Sequence, residues 1–388
     1  MALELQRLVE KVEHLDITTI AGQNGLHHPV SWVQMAENIE ASAFLEGGEV
    51  IIITGIGLQK ESDLAELVAH LYDKKAAGII INTGPYIEEI PPEVIAFCDS
   101  HDLPLFCVPW KVHLSEIMRI FCFSITRESQ RNAETSAAFK NAIFFPEQQE
   151  LYVVPLSQLN FDADWKYSVC LIRLHNTQNT VTSRLEVLSM SLENHLRHHQ
   201  YLNFAIFTHN DELLCVTGDY SGEELHAFIE DLRMHAKIYL LKEESITMGV
   251  GRLTQSIRCL HKSYAQAQSI ERLQSNKKID ANLIHYAQMG FYRLLMGIED
   301  HSILEEYYES TLGPLIRYDK ANDSDLAEVL KYYLNKNGSV QDTAAELYVH
   351  RNTINYKLRK IASLLDVDLS DLQVRMQLIM AFKIQDVL

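Results

Sequence analysis

The sequence contains no long apolar stretch, although nearly half of its residues are hydrophobic. Of its 388 residues, 47% are hydrophobic and 22% are charged. No apolar run reaches the ~18 residues that a membrane-spanning helix needs. No basic segment followed by an apolar one opens the sequence, so we expect no secretion signal. These absences predict a cytoplasmic protein. The hydrophobic content predicts that it has substantial hydrophobic cores.

Cysteine is scarce, with six residues at positions 98, 107, 122, 170, 215 and 259. None of them forms a Cys-x-x-Cys pair or has a histidine at zinc-finger spacing. The histidines likewise show no metal-binding spacing with a carboxylate, including His27-His28 and His198-His199. We therefore expect reduced, mostly buried thiols and no metal or other cofactor. No Ser-His-Asp triad, Cys-His pair or P-loop is found, so no catalytic residues are expected.

Positive charge is also in short supply, except near the carboxyl end. The chain has 34 Lys and Arg against 52 Asp and Glu, a formal net charge of -18. Such a chain does not coat nucleic acid nonspecifically. Yet Arg351, Lys357, Arg359 and Lys360 lie close together, with no acid before Asp366. This local excess of positive charge points to a specific contact with a polyanion.

The same segment carries the pattern of two short helices. After the break at Asn337-Gly338, the pattern predicts helices over 339–347 and 351–364, joined by a tight turn into which Val349 is expected to pack. Ile354, Leu358 and Ile361 recur at helical spacing and predict a buried stripe. Two helices with this connection are typical of a helix-turn-helix, whose second helix lies in the DNA major groove.

Nine residues at the start and on the other faces of the second helix are the candidate DNA contacts. They are His350, Arg351, Asn352, Thr353, Asn355, Tyr356, Lys357, Arg359 and Lys360. Asparagine suits adenine and arginine suits guanine, so the first residues are placed to contact base edges. Arg359 and Lys360, further along, are better placed for phosphates. A small helical bundle with a solvated basic face is the alternative.

The first part of the chain alternates strand-like and helix-like segments. Three apolar, strand-like runs, 49–54, 77–81 and 103–109, are separated by two helical patterns. This order predicts a doubly wound parallel sheet. From 115 to 145 the pattern is helical and predicts a connector or a dimerisation helix.

Polar residues and glycines follow two of these predicted strands. They are Thr54, Gly55 and Gly57 after the first strand, and Asn82, Thr83 and Gly84 after the second. Ligands of parallel sheets bind beyond the carboxyl ends of the strands, so a small polar metabolite is the expected ligand. Trp32 and Trp110 would line such a pocket. Tight turns that bind nothing are an equally open interpretation.

Residues 150–275 predict a second α/β block with a mainly antiparallel sheet, and residues 280–388 predict helices only. In the middle block, a hairpin around His209, Asn210, Asp211 and Glu212 resembles the Gly-Gly-Asp-Glu-Phe turn of diguanylate cyclases. A cyclase needs the two glycines for close approach of the nucleotide. It also needs a carboxylate at the end of the first strand, which here ends 173–176 without an acid. We therefore interpret the block as degenerate and noncatalytic, with Asp211 and Glu212 facing solvent.

One string near the carboxyl end resembles the C-terminal helix-turn-helix of the PucR (purine catabolism regulator) family and of the related sugar-diacid regulators. It is His350-Arg351-Asn352-Thr353-Ile354-Asn355-Tyr356-Lys357-Leu358. The segment Leu312–Leu315, with Asp319 shortly after, matches the segment that precedes this domain in the family. Thr19–Gly22, Gly25-Leu26 and Val50–Gly55 resemble its N-terminal sensory domain. Tyr348 departs from the general helix-turn-helix pattern, which often has glycine at the turn.

The resemblance implies an α/β plus all-α architecture in three domains. These are a PucR-like sensory domain over 1–125, a helical linker over 126–150, a degenerate GGDEF-like domain over 151–280, and a helix-turn-helix domain over 281–388. It implies a transcriptional regulator that responds to a ligand. The resemblance further implies that the regulator activates genes of nitrogen, purine or amino-acid catabolism. The implied partners are a double-stranded DNA operator, a small-molecule effector and further copies of the chain, as a homodimer or higher homo-oligomer. A nucleotide-binding or cyclase-like enzyme with an accessory helical domain is the alternative function.

Overall fold

The computed structural model describes residues 3–58, 61–175, 181–298 and 300–388, and the backbone alone at 61–62 and 181–183. By compactness the chain divides into two units. One comprises 1–167, 174–245 and 254–261, and the other comprises 168–173, 246–253 and 262–388. Among the described residues, no helix is both long and apolar enough to span a bilayer.

The described residues of the N-terminal part form seven strands and five α-helices. In chain order they are β1 (Leu3–Glu4), α1 (Leu5–Glu10), β2 (Thr18–Ala21), β3 (Pro29–Val30), β4 (Trp32–Met35), α2 (Ile39–Ser42), β5 (Glu49–Ile53), α3 (Glu61–Asp73), β6 (Gly78–Thr83), α4 (Pro92–Ser100), β7 (Leu105–Pro109) and α5 (Leu114–Phe144).

Five of these strands form one sheet in the order β2-β7-β6-β5-β4. The pairs β4-β5, β5-β6 and β6-β7 are parallel, as predicted for the three central strands. The pair β2-β7 is antiparallel, so the sheet is mixed. The edge strands β2 and β4 were not predicted, because both are four-residue segments that are exposed on one side and show no apolar run.

Both faces of this sheet are covered, which explains the continuous apolar runs of β5 and β6. Ile51 and Ile79 belong to one buried core, which includes side chains of α3 and α4. Their neighbours Val50 and Ile80 belong to a second core, on the opposite face, with side chains of α1 and α5. Successive strand residues point to opposite faces, so each strand supplies both cores.

α5 is a single helix of 31 residues without an internal glycine or proline. Its first half buries Phe121 in the core of the five-stranded sheet. Its second half buries Phe139, whose ring lies 5.0 Å from that of Phe161 and 6.4 Å from that of Phe207. One uninterrupted helix therefore extends from the N-terminal sheet into the middle part of the chain.

The described residues of the middle part form four strands and four α-helices. In chain order they are α6 (Val153–Gln158), β8 (Tyr167–His175), α7 (Val181–His198), β9 (Phe204–His209), β10 (Glu212–Gly218), α8 (Gly222–Ile238), β11 (Ser245–Val250) and α9 (Leu260–Ser275). The strands form a sheet in the order β11-β8-β10-β9. β9 and β10 are the predicted antiparallel hairpin, closed by Asn210 and Asp211.

The remaining chain is helical: α10 (Tyr292–Leu295), α11 (His301–Thr311), α12 (Gly313–Asn322), α13 (Leu326–Asn335), α14 (Val340–Glu346), α15 (Arg351–Leu365) and α16 (Leu372–Gln385). The sequence pattern also predicts a single helix over 282–296, but only Tyr292–Leu295 of that segment is α-helical. The Val250 amide donates to Ile284 O at 2.8 Å, which holds the start of that segment extended beside β11. Gly290, with φ +50°, interrupts the rest. Gly313-Pro314 predicts a break between helices, and here α11 ends at Thr311 and α12 begins at Gly313.

Candidate nucleic-acid interface and ligand site

The predicted helix pair is present and packs as the sequence indicated. Ile354, Leu358 and Ile361 of α15 are buried in one core with α13, α14 and α16. These residues fix which face of α15 points inward, and therefore which face is left for a partner. The prediction for Val349 was wrong, since its side chain is 40% exposed.

The turn between α14 and α15 is a Schellman motif centred on a tyrosine. The Val349 amide donates to Ala344 O at 3.0 Å, and the Tyr348 amide donates to Ala345 O at 3.3 Å. Tyr348 has φ +53°, the left-handed conformation that glycine usually supplies at this position. Its side chain is 96% exposed, so no packing in this structure holds it there.

The N-terminus of α15 is fixed by a side-chain cap. His350 Nδ1 accepts a hydrogen bond from the Asn352 amide at 3.2 Å. At the N-terminus of α14, Ser339 Oγ accepts from the Asp342 amide, also at 3.2 Å. Capping satisfies donors that the first turn of a helix leaves unpaired. The residues that follow His350 are therefore presented by a well-defined first turn.

Seven of the nine candidate DNA contacts are exposed: His350, Arg351, Asn352, Thr353, Asn355, Tyr356 and Arg359. The two lysines are half-buried and have partners within the domain. Lys357 Nζ donates to both carboxylate oxygens of Asp325 at 2.6 Å. Lys360 Nζ lies 4.5 Å from the centre of the Tyr318 ring, and the Tyr318 hydroxyl raises the pKa of Lys360. Of the four cations on α15, the two arginines are thus the more available.

Asp319, in the segment before the helix-turn-helix, forms hydrogen bonds with the start of the helix that follows it. Its carboxylate accepts from the amides of Leu326 at 3.1 Å and Ala327 at 2.7 Å, the first two residues of α13. It also accepts from Ser324 Oγ at 2.6 Å. A residue of α12 therefore caps the helix on which α14 and α15 pack.

The predicted ligand site divides into two groups at neighbouring strand ends. After β5, a carboxylate from the loop following β4 binds the first group. Glu37 Oε1 accepts from the Thr54 amide at 3.0 Å and from Thr54 Oγ1 at 2.6 Å, and its Oε2 accepts from the Gly55 amide at 2.9 Å. Gly55 has φ +85°, and a Cβ on Gly57 would lie 2.7 Å from Glu37 O. Both glycines allow the backbone to fold closely around Glu37.

After β6, the second group bonds to β7. Asn82 is 3% exposed, and its Nδ2 donates to Val108 O at 3.0 Å and Pro109 O at 3.2 Å. Thr83 Oγ1 lies 3.3 Å from Cys107 Sγ. Gly84 packs against Trp110, whose Cβ would be 2.6 Å from an added Cβ. The ligand role of these six residues stays a prediction, and each side-chain donor already has a partner in the chain.

Sequence reasoning missed Glu37, the residue that organises the first group. An acid two positions after Met35 marks it, but the strand that ends at Met35 had itself been missed. Because β4 lies parallel to β5, their carboxyl ends meet at one edge of the sheet. Recognising β4 would have placed Glu37 beside Thr54.

His209 and Asn210 occupy the two positions at which a cyclase has glycines. The His209 ring lies 4.4 Å from the Phe144 ring of α5, and Asn210 takes the left-handed φ of +50°. Asp211 is exposed as expected. The expectation that Glu212 faces solvent was wrong, because it is 7% exposed as the first residue of β10.

The end of β8 carries a guanidinium where a cyclase would carry an acid. Arg173 Nε lies 3.2 Å from Glu271 Oε2. Glu271 is 1% exposed, and its Oε1 accepts from Thr247 Oγ1 at 2.7 Å and from Ser275 Oγ at 2.5 Å. Asn176, the last residue of the predicted strand end, lies outside the described residues. At this strand end the guanidinium is thus paired with a buried carboxylate.

Three family models match successive parts of the chain. Residues 8–125 match the purine catabolism regulatory protein-like family, 155–273 match the GGDEF-like domain, and 326–384 match the PucR C-terminal helix-turn-helix domain. The chain therefore carries the N-terminal and C-terminal domains of the PucR family, with a GGDEF-like domain between them. The three domain types expected from the sequence are thereby confirmed.

Three proteins to which this chain is similar come from Bacillus subtilis (strain 168). The proline-responsive transcriptional activator PutR is 31% identical over 34% of this chain and 33% of that protein. The DNA-binding transcriptional activator AdeR is 23% identical over 59% of this chain and 54% of that protein. The purine catabolism regulatory protein is 22% identical over 94% of this chain and 96% of that protein. The chain thus spans about a third of the length of PutR and about half of the length of AdeR.

Proposed function

We propose that the protein is a DNA-binding transcriptional regulator whose helix α15 contacts the bases of its operator. The observation that carries this proposal is the asymmetry of α15. One face is buried through Ile354, Leu358 and Ile361. Exposed Arg351, Asn352 and other polar side chains occupy its first turns, which are the part of a recognition helix placed at base edges.

A gel-shift titration with fragments of the genome that encodes the protein tests this function. We expect a specific shift that Arg351→Ala weakens roughly 5- to 150-fold, because a contact of arginine with guanine is worth about 1–3 kcal/mol. Arg317→Ala is the matched control, since Arg317 is an exposed arginine of α12 that pairs with Glu309. Equal loss of the shift in both variants, or no specific shift for the unaltered chain, would contradict the proposal.

The relatives' names support activation of catabolic genes. PutR is described as proline-responsive, and another relative as a purine catabolism regulatory protein. We propose that this chain, acting in the cytoplasm, activates a nitrogen, purine or amino-acid catabolic operon in response to a small metabolite. Two-fold operators are usual for helix-turn-helix proteins, so the active form is a homodimer or higher homo-oligomer. Light scattering with and without DNA measures that stoichiometry.

The effector site is proposed at the Thr54 strand end, where the donors that Glu37 now binds suit an acidic group. Three donors, the amides of Thr54 and Gly55 and the hydroxyl of Thr54, converge on one carboxylate. A metabolite with a carboxylate or an acidic ring could replace the Glu37 carboxylate on the same donors. The exchange would release the loop that carries Glu37, and an effector acts only through such a difference between two states.

A thermal-shift screen with amino acids and purine breakdown products tests this site. The metabolite that raises the melting temperature of the unaltered chain should do so at lower concentration in Glu37→Gln, because the competing carboxylate is lost. Thr54→Ala should weaken the same response. If Glu37→Gln and Thr54→Ala leave the response unchanged, the effector binds elsewhere.

The middle domain is proposed to be a noncatalytic scaffold. The support is the His209 ring packed on Phe144 and the Arg173 guanidinium at the end of β8. Incubation with GTP and magnesium should give no cyclic dinucleotide. Turnover that disappears in Asp211→Ala would contradict the proposal and favour the enzyme alternative.

A further inference from the structure

Two helices of the middle domain place histidine and acid side chains opposite each other. His195 lies in the last turn of α7, and His199 follows four residues later. The His199 amide donates to His195 O at 3.1 Å, so the helical geometry continues to His199. α8 carries Asp231 and, four residues on, His235. A spacing of four puts both members of each pair on one face of their helix.

The four side chains form one compact group. His195 Nε2 lies 2.9 Å from Asp231 Oδ1. The ligand atoms of His195, His199 and Asp231 all lie within 4.8 Å of one another. The His235 ring stacks on that of His195 with 3.4 Å between centroids. The side chains of His195 and Asp231 are 15% and 29% exposed, so an ion could reach them from solvent.

We propose that His195, His199 and Asp231 bind one divalent transition-metal ion of the zinc class. Two histidines at i and i+4 on a helix are a known zinc-binding arrangement, and a carboxylate is a common third ligand. Tetrahedral ligands with bonds of about 2.1 Å lie roughly 3.4 Å apart, so small side-chain rotations bring these three atoms into position. Imidazole nitrogens make the site poor for calcium or magnesium, which prefer oxygen ligands.

Three protein ligands leave one position of a tetrahedron for water or a fourth ligand. His235, already in contact with His195, is the described side chain that a rotation would bring into that position. No metal site was expected from the sequence, because the ligands are not all neighbours along the chain. The carboxylate partner of His195 is 36 positions away and is brought close only by the packing of α7 on α8.

Isothermal titration of the full-length, untagged, chelator-treated chain with zinc chloride tests the proposal. We expect one equivalent of zinc bound at His195, with a rise in melting temperature because the metal joins α7 to α8. His195→Ala should weaken binding at least tenfold. His14→Ala is the matched control, since His14 is an exposed histidine outside the group, and it should bind zinc like the unaltered chain. Cobalt chloride should give the visible absorption of a tetrahedral site.

The variant Asp231→Asn distinguishes a loss of metal binding from a loss of packing between α7 and α8. An asparagine oxygen can still accept the His195 hydrogen bond, so the metal-free melting temperature should stay close to that of the unaltered chain. The zinc-induced rise in melting temperature should be lost. Equal zinc affinity in the unaltered chain, His195→Ala and Asp231→Asn would overturn the proposal. Absence of zinc binding to the unaltered chain would also overturn it, leaving a His-Asp hydrogen bond that only supports packing.

Discussion

At the turn before α15, a tyrosine occupies a backbone conformation that favours glycine. Tyr348 has φ +53° and is 96% exposed. A non-glycine residue in this region costs about 1–2 kcal/mol. Because its side chain has no packing to offset that cost, this residue slightly weakens the domain that holds the recognition helix.

Replacing Tyr348 should therefore change stability in a direction that depends on the new residue. We expect Tyr348→Gly to raise the free energy of unfolding of the C-terminal domain by about 1 kcal/mol, by removing the left-handed strain. Tyr348→Ala removes the same aromatic ring but keeps the strain, and should be near neutral. Urea denaturation followed by circular dichroism measures both. A loss of stability in Tyr348→Gly would mean that the ring makes contacts absent from this structure.

An ion pair at the end of the middle domain predicts a pH dependence. Glu244 accepts from Arg184 Nε at 3.0 Å, Arg184 Nη2 at 2.9 Å and the Leu241 amide at 2.9 Å. The hydrogen bond from Arg184 is the main reason that the pKa of Glu244 is lowered from 4.5. A lowered pKa in the folded state contributes stability above the pKa of the unfolded chain, and that stability is lost as the pH falls through the folded value.

Glu244→Gln should lower the free energy of unfolding by about 1–3 kcal/mol at about pH 7, as expected for a hydrogen-bonded charged group. The difference between the two proteins should shrink as the pH falls below 4.5, where Glu244 of the unfolded chain becomes protonated, and should be lost as the pH falls through the lower pKa of the folded state. Melting temperatures across this pH range provide the measurement. A constant difference at every pH would show that the Glu244 charge has no role.

At the scale of elements, the helix-turn-helix depends on a cap supplied by the helix before it. Asp319 of α12 accepts from the first two amides of α13, and α13 packs against both α14 and α15. Asp319→Ala should destabilise the C-terminal domain by about 1–2 kcal/mol, as other caps do. Asp319→Asn keeps an acceptor oxygen and should lose less. Differential scanning calorimetry compares the two variants. Equal stability of Asp319→Ala and the unaltered chain would contradict this role.

Elements with strong periodicity were predictable, and elements defined by their neighbours were not. The helix-turn-helix, the three central strands and the hairpin follow from residues such as Ile354 and Ile51, whose spacing fixes a buried face. The edge strand Trp32–Met35 exists because β5 pairs with it. The predicted helix at 282–296 fails because Ile284 bonds to Val250 of β11. Such choices are made by tertiary hydrogen bonds, which local sequence does not encode.

The candidate sites show the same division. Exposure of Arg351 and Asn352 could be predicted, because it is the complement of the buried stripe of α15. The partners of Lys357 and Lys360 could not, since Asp325 and Tyr318 lie on other helices. Glu37 was missed for a similar reason.

At the scale of the whole molecule, the net charge of -18 sets how the protein can bind DNA. An acidic chain gains little from counterion release away from its basic helix, so nonspecific affinity should be weak. Arg359 is exposed and lies well along α15, so in the proposed DNA complex we expect it to contact a phosphate. Arg359→Ala should weaken binding to all sequences similarly and reduce the salt dependence of binding, as fluorescence anisotropy at several salt concentrations measures. A change of preferred sequence in that variant would place Arg359 at a base instead.

In the proposed complex with DNA, the first turn of α15 contacts base edges. The most direct test is selection from a random DNA library, with sequencing of the DNA bound by the unaltered chain and by Asn352→Ala. We predict that the unaltered chain enriches one motif and that Asn352→Ala relaxes it at one base pair, usually an adenine, of each half-site. The same motif enriched to the same extent by both proteins, or no motif enriched by the unaltered chain, would contradict the claim.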